Sequence, residues 1–206
     1  MKRVLGWLPW LALASFLTGL LLTNLGLPEY SQRLYPVGLR GATGLPFALA
    51  FNLMLFVVPG VLLALSGQVL RGMISDAGWL ARIGIVLVQL SALAFAMQGV
   101  LSMDPSDMDA QMSRLHALAW MLWWIAFVPG ALLLAVGARR GALFALVSVL
   151  AALLVPLIAV FAPIDLWVGI AQRLAFGVWF GWWVFVAGRV THVSTSVPES
   201  SPKARR

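Results

Sequence analysis

Six long apolar runs constrain this chain more than any other feature of its sequence. They cover, approximately, residues 5–27, 47–70, 83–103, 115–137, 142–162 and 168–188. Each is close to the ~20 residues that a helix needs to cross the hydrocarbon core of a bilayer. With 62% hydrophobic and only 10% charged residues, the chain has more apolar surface than a soluble fold can bury. The sequence therefore predicts an all-α, polytopic membrane protein, a bundle of six transmembrane helices.

The charged residues are sorted between the two sets of alternate connections. Ten cations fall on one side, namely Lys2, Arg3, Arg71, Arg82, Arg139, Arg140, Arg189, Lys203, Arg205 and Arg206. The other side has four, namely Arg33, Arg40, Arg114 and Arg173. It also has five of the seven acids, namely Glu29, Asp104, Asp107, Asp109 and Asp165. Because Lys and Arg accumulate on cytoplasmic connections, both termini are expected to be cytoplasmic, in a multi-pass protein of the bacterial inner membrane.

Composition excludes several functional classes. The net charge of +7 does not indicate a nucleic-acid partner, since the cations are scattered at helix ends, where anionic lipid headgroups meet them. The absence of cysteine excludes disulfides, thiolate metal sites and dithiol redox chemistry. No predicted span contains a lysine for a retinal Schiff base or a pair of histidines for haem. No cofactor is therefore expected.

The two ends of the chain have different interpretations. The N-terminus resembles a signal peptide, but its apolar run is too long and lacks a small-x-small cleavage site, so we expect a retained first helix. Residues 191–206 are rich in Ser, Pro and basic residues, which predicts a disordered cytoplasmic tail. The six-helix transmembrane domain is therefore expected to cover residues 1–190.

Turn-forming residues mark the first outer connection. Residues 28–46 contain three glycines and several prolines, so we expect a cap over the bundle rather than a regular helix. Within the spans, Val58-Pro59-Gly60 recurs as Val128-Pro129-Gly130. Such pairs either kink a helix or allow close packing, and packing is the favoured interpretation. An old duplication of a helix hairpin also fits this repeat.

One outer segment combines acids with a histidine. Asp104 followed by Pro105 is typical of a helix N-terminus, where the carboxylate caps free backbone N–H groups. His116 lies one turn inside the next apolar run, where an ionisable side chain needs a partner. That partner is expected to be a carboxylate from Asp104, Asp109 or Asp165, although a purely structural histidine fits equally well. If the protein is an enzyme, Asp104 and His116 are its candidate catalytic pair. A catalytic zinc is not expected with one histidine.

A cation lies at the same depth as His116, at the outer start of the last span. Arg173, with Gln172 beside it, suits a phosphate or carboxylate headgroup, and Arg40 is a second candidate. The alternative for Arg173 is a salt bridge to Asp104 or to the acid at position 165.

Further polar and aromatic candidates lie deeper in the spans. Asn52 and Gln98 either complete a pocket or form interhelical hydrogen bonds. Trp120, Trp124 and Trp179 indicate an aromatic region below His116, either a slot for an acyl chain or isoprenoid or simply helix packing.

Three segments form a pattern across nearly the whole chain. They are Tyr35-Pro36-Val37-Gly38 through Pro46 with Phe51-Asn52, then Gly99-Val100-Leu101-Ser102-Met103-Asp104-Pro105 with His116, and Gly169-Ile170-Ala171-Gln172-Arg173-Leu174. This set resembles the bacterial integral membrane family known as domain of unknown function 998. The family often has Phe-Pro before the motif aspartate, which this chain lacks. The resemblance implies a six-helix fold and no particular activity.

Three functions fit these observations. The favoured one is binding of a lipid or amphiphile in a pocket at the periplasmic leaflet, as a sensor, carrier or scaffold. The second is an intramembrane lipid hydrolase or transferase that uses His116 and Asp104. The third is a small transporter, which the Pro-Gly pairs favour. The expected partners are membrane lipids, a small amphiphilic ligand, and either a second copy of the chain or a membrane partner protein.

Overall fold

Helices account for most of the computed structural model, which describes residues 2–74, 77–161 and 164–193. Six of them are long and apolar enough to cross a membrane. We number them α1 (Lys2–Leu21), α2 (Ala48–Met73), α3 (Trp79–Val100), α4 (Gln111–Gly137), α5 (Ala142–Phe161) and α6 (Ile164–Val193). The predicted all-α, multi-pass bundle is confirmed.

Several helix ends differ from their predicted positions. α1 ends at Leu21 rather than near 27, because the chain then forms successive turns that lead to Gly26, whose φ is +73°. α3 ends at Val100 rather than 103, and α4 begins at Gln111 rather than 115. α6 continues through residues 191–193, which were expected in the tail, and the rest of the predicted tail lies outside the described residues.

The first outer connection crosses the outer end of the bundle. It contains a short 3-10 helix, Val37–Gly41. Its backbone bonds to two other parts of that end: Thr43 N–H donates to the carbonyl of Met103, and Gly169 N–H donates to the carbonyl of Arg33. This segment, residues 22–47, is called the outer loop below. The prediction that it caps the bundle is confirmed.

Helix α3 lies between α2 and α4, and the repeated glycines line both contacts. A Cβ atom at Gly60 of α2 would lie 2.6 Å from the backbone nitrogen of Ala96. A Cβ atom at Gly130 of α4 would lie 3.0 Å from the backbone nitrogen of Val88. Both glycines thus allow a neighbouring backbone to come close, as small residues do in membrane bundles. The packing interpretation of the repeat is confirmed at these two positions.

Helix α2 also contains a π-helical turn, Leu53–Val57, just before Pro59. Val58 N–H bonds to the carbonyl of Leu53, five residues back. The same spacing would pair the carbonyl of Met54 with Pro59, which has no N–H. The hydroxyl of Ser15 donates to that carbonyl instead, at 2.7 Å. The turn is therefore stabilised from α1.

Candidate functional site

Arg40 lies inside the outer loop and bonds to its backbone. The side chain is 1% exposed. Its Nε donates to the carbonyl of Thr23 at 2.5 Å, Nη2 to that of Leu25 at 2.8 Å and Nη1 to that of Pro46 at 2.8 Å. The guanidinium also lies over the ring of Phe51. All three guanidinium nitrogens have partners. Arg40, which the sequence predicted as a candidate to bind a lipid headgroup, is therefore positioned to hold the loop together.

The start of α6 holds the loop from the other side. The Oε1 atom of Gln172 accepts a hydrogen bond from Val37 N–H at 2.8 Å. Nη1 of Arg173 donates to the carbonyls of Gln32 at 2.7 Å and Gly169 at 2.8 Å. A Cβ atom at Gly169 would collide with the Gln32 carbonyl, so glycine is required for this close approach. Gln172 and Arg173 thus contact the outer loop directly.

The alternative salt bridge of Arg173 is not formed with Asp104, whose carboxylate bonds elsewhere. The side chain at position 165 lies outside the described part of the structure. Nε and Nη2 of Arg173 are buried without a hydrogen-bond partner.

Asn52, in α2, bonds both to the outer loop and to the segment that follows α3. Its Nδ2 donates to the carbonyl of Gly41 at 2.8 Å and to the hydroxyl of Ser102 at 3.0 Å. A Cβ atom at Gly41 would overlap the amide of Asn52, so glycine is needed at that position. Of the two predictions for Asn52, the structural hydrogen bond is the one that the structure contains.

Asp104 does not begin a helix, and this prediction was wrong. Its Oδ1 accepts hydrogen bonds from Ser106 N–H at 2.9 Å and Ser106 Oγ at 2.5 Å, which closes a turn instead. The same bonds hold the pKa of Asp104 below its ordinary value. Ser113 Oγ accepts from Asp104 N–H and donates to the carbonyl of Asp107, so this turn is joined to the first turn of α4. Aspartate favours both arrangements, and here the turn forms.

His116 has backbone partners rather than the carboxylate that the sequence predicted. Its Nδ1 lies 3.0 Å from the carbonyl oxygen of Gln98 and 2.8 Å from that of Leu101. These carbonyls are free because α3 ends at Val100 and the last turn of a helix lacks N–H partners. The imidazole thus caps α3 from α4. The proposed catalytic pairing with Asp104 is absent from this structure.

The bonds of His116 determine its tautomer. A carbonyl oxygen only accepts hydrogen bonds, so Nδ1 carries the proton. In the neutral ring, Nε2 then has a free lone pair. This atom is on the side of Gly38, where an added Cβ would lie 2.6 Å from it. Glycine at position 38 therefore allows the loop backbone to come close to the imidazole.

A cavity of about 160 Å³ lies next to Gly38 and His116. It is lined by Pro36, Gly38, Gln98, Met103, His116, Ala117, Trp120, Gln172 and Phe176. None of these residues has a formal charge when the histidine is neutral. Gln98 is 1% exposed, and its Nε2 has no hydrogen-bond partner. This outer cavity is the candidate functional site.

Three of the predicted site residues meet at the outer cavity: His116, Gln172 and Trp120. Sequence reasoning also noted Gln98 but missed Phe176, which follows Gln172 by one helical turn. The i, i+4 spacing that places Trp120 below His116 also places Phe176 below Gln172, and it was the available signal.

The aromatic region below the cavity is filled by the protein's own rings. Trp179 is 0% exposed and packs against Phe95 and Trp123, with ring centroids 4.8 Å and 5.8 Å away. Trp124 is partly buried against the same core. An acyl chain could reach Trp179 only if these rings separated. Of the three candidate tryptophans, Trp120 alone lines the outer cavity.

Comparison with known proteins does not assign this chain to a family. No protein-family model matches the chain, and neither a curated protein nor a solved structure matches it. Membership in the family known as domain of unknown function 998 therefore stays a prediction.

Proposed function

We propose that this membrane protein binds the polar group of a lipid or other amphiphile in the outer cavity. The observation that carries the proposal is the hydrogen-bond acceptor there. Nδ1 of His116 is taken by two backbone carbonyls, and no described residue bonds to its Nε2. An unsatisfied buried polar group costs about 1–3 kcal/mol, so a molecule that bonds to it is favoured. A cavity of about 150 Å³ holds a molecule the size of benzene.

The surroundings favour an amphiphile over a soluble polar solute. Trp120, Phe176 and Met103 give the cavity apolar walls. Ala117 lines the cavity and is exposed. Its neighbours on α4, Leu118 and Met121, are exposed apolar residues that face lipid in a membrane-spanning helix. A bound molecule can therefore place its polar group inside while its chain stays on the lipid-facing surface.

The proposed role of the protein that binds this amphiphile is that of a sensor, carrier or scaffold. An anionic headgroup held by Arg40 is not part of the proposal, because that guanidinium is already occupied by three carbonyls.

Native mass spectrometry tests the binding. The variant Ala117→Trp adds a large side chain at the exposed edge of the outer cavity without changing its buried polar groups. Leu118→Trp is the matched control on the same helix turn. We expect wild type and Leu118→Trp to retain a bound amphiphile that Ala117→Trp loses. Equal retention by both variants, or no retained molecule in wild type, would overturn the proposal.

The proposal includes an orientation, with the outer loop on the periplasmic side of a bacterial inner membrane and both termini in the cytoplasm. It is supported by the ten-to-four distribution of cations. The chain has no cysteine, so single cysteines can be labelled selectively. A membrane-impermeant maleimide added to intact spheroplasts should label Asp107→Cys and leave Arg139→Cys unlabelled. Both positions are exposed. The reverse pattern would invert the topology.

A further inference from the structure

The outer cavity presents a hydrogen-bond acceptor at a defined place. Nδ1 of His116 is occupied by the carbonyls of Gln98 and Leu101. Its proton therefore stays on Nδ1, and the neutral ring offers the cavity a lone pair at Nε2. Only a group with an O–H or N–H can bond to that atom.

Charged groups fit this lining poorly. A carboxylate or a dianionic phosphate brings acceptors only, so its lone pairs would face the lone pair of His116. Among the described residues, no arginine, lysine, aspartate or glutamate lines the outer cavity to balance an ionic group. An unpaired charge next to Trp120 and Phe176 would lose its hydration without compensation.

We infer that the outer cavity selects an uncharged hydroxyl group, which donates to His116 Nε2, attached to an apolar chain. This inference rests on the proposed function and names its ligand class. A neutral long-chain alcohol, including an isoprenoid one, and the free hydroxyl of a diacylglycerol share this chemistry. Fatty acids and alkyl phosphates lack it.

Photolabelling tests the inference on the full chain. The protein is placed in phosphatidylcholine nanodiscs, whose lipids have no hydroxyl group, and labelled with a diazirine-bearing long-chain alcohol. Competitors of one chain length are dodecanol, dodecanoate and dodecyl phosphate, with dioctanoylglycerol as the two-chain source of the same hydroxyl. We expect dodecanol or dioctanoylglycerol to compete at concentrations at least about tenfold lower than the two anions, as the loss of one buried hydrogen bond predicts. The better of the two hydroxyl compounds identifies the source.

Two variants connect the preference to the cavity. His116→Asn can keep a donor near the position of Nδ1 and removes Nε2, so the preference for alcohol over acid should fall to within about twofold. Ala117→Trp obstructs the exposed edge of the cavity and should weaken alcohol labelling even if the histidine variant does not fold. Leu118→Phe, on the lipid-facing surface, should behave as wild type.

The outcomes separate the two proposals. Labelling of the cavity with equal or better competition by dodecanoate would overturn the hydroxyl inference and leave amphiphile binding intact. Unchanged alcohol labelling in Ala117→Trp, or unchanged selectivity in a folded His116→Asn, would also overturn it. Absence of any labelling of cavity residues would remove both.

Discussion

At the outer end of the bundle Arg40 is buried and bonds to three backbone carbonyls, whereas at the inner end Arg71 and Arg139 are exposed. Arginine therefore has two different roles in this protein. Exposed inner cations match the charge asymmetry from which orientation is inferred. The buried outer cation stabilises a particular loop conformation. The position of an arginine along the chain does not distinguish these roles, but its burial does.

The difference follows from the length of the connections. The outer loop brings a long stretch of irregular backbone to the edge of the membrane, where carbonyls that are shielded from water must find partners within the protein. Side chains of the loop itself, α2 and α6 supply the donors. The inner connection from α4 to α5 is only a few residues long, with positive φ at Arg139 and Gly141, and leaves few carbonyls to satisfy.

Arg40→Ala is expected to have the largest effect on stability and tests the difference between buried and exposed arginines most directly. Three buried carbonyls would lose their donor, at about 1–3 kcal/mol each. We expect the free energy of unfolding to fall by about 3 kcal/mol or more. The inner counterpart Arg139→Ala should change it by less than about 0.5 kcal/mol, as exposed substitutions usually do. Unfolding by SDS titration in mixed micelles measures both, and equal losses would contradict the distinction.

Two buried or partly buried amides offer a smaller contrast. Asn52→Ala removes the donor to Gly41 and Ser102, which should cost about 1–2 kcal/mol and free the outer loop. Gln89 of α3 donates to the carbonyl of Ala64 in α2, and Gln89→Ala should cost about 0.6 kcal/mol.

Limited trypsin digestion supplies a second measurement for these two variants. Cleavage within the outer loop should accelerate in Asn52→Ala and stay at the wild-type rate in Gln89→Ala. If both variants are cleaved at the wild-type rate, Asn52 does not hold the loop.

The outer loop should also respond to alkaline pH. Burial raises the pKa of Tyr30 above its ordinary value of 10.0, and the nearby Arg173 and Arg40 offset part of the shift. Because the folded-state pKa is the higher one, the contribution of Tyr30 to stability is complete below about pH 10 and is lost as pH rises through the folded-state pKa. Its hydroxyl donates to the carbonyl of Pro36 at 2.8 Å, and ionisation removes that bond.

Melting temperatures measured from about pH 8 to 11 test this dependence. Wild type should lose stability more steeply than Tyr30→Phe above about pH 10, because phenylalanine has no ionisable group. Parallel profiles would show that Tyr30 does not carry the alkaline response.

The smallest effect on stability is expected for an exposed arginine at the outer end. Arg114 lies at the outer end, like Arg40, but its ion pair with Asp109 is 3.3 Å long and the two side chains are 68% and 89% exposed. Exposed pairs contribute about 0–1 kcal/mol, so Arg114→Ala should be nearly neutral in the same SDS titration. A loss as large as that of Arg40→Ala would show that location, rather than burial, determines the effect.

The six helices could be predicted because span length and hydropathy are local properties of the chain. The residues at which these helices begin and end were harder to predict. α1 stops at Leu21 although apolar residues continue, and in the turns that follow the carbonyls of Thr23 and Leu25 bond to Arg40, a residue from the distant part of the loop. Hydropathy contains no information about such a partner.

The candidate site was predicted in part for a related reason. Position along a span can be inferred from sequence, and the structure has His116, Gln172 and Arg173 at one end of the bundle, against the outer loop. The direction in which each side chain points depends on packing. His116 and Gln172 line the outer cavity, whereas Arg173 bonds to the backbone of the outer loop. The backbone carbonyls that determine the tautomer of His116 cannot be identified from the pattern of side chains in the sequence.

The outer loop is held largely through its backbone oxygens, and this gives it a particular mutational tolerance. Exposed positions such as Leu34 can change in size or polarity without altering a contact made to the main chain. Four glycines are exceptions. A methyl group at Gly38 or Gly41 would meet His116 or Asn52, and Gly26 and Gly44 have φ angles of +73° and +84°, which other residues rarely adopt. Random substitution across the loop should therefore return many folded sequences that keep glycine at these four places while the chemistry of the exposed surface varies.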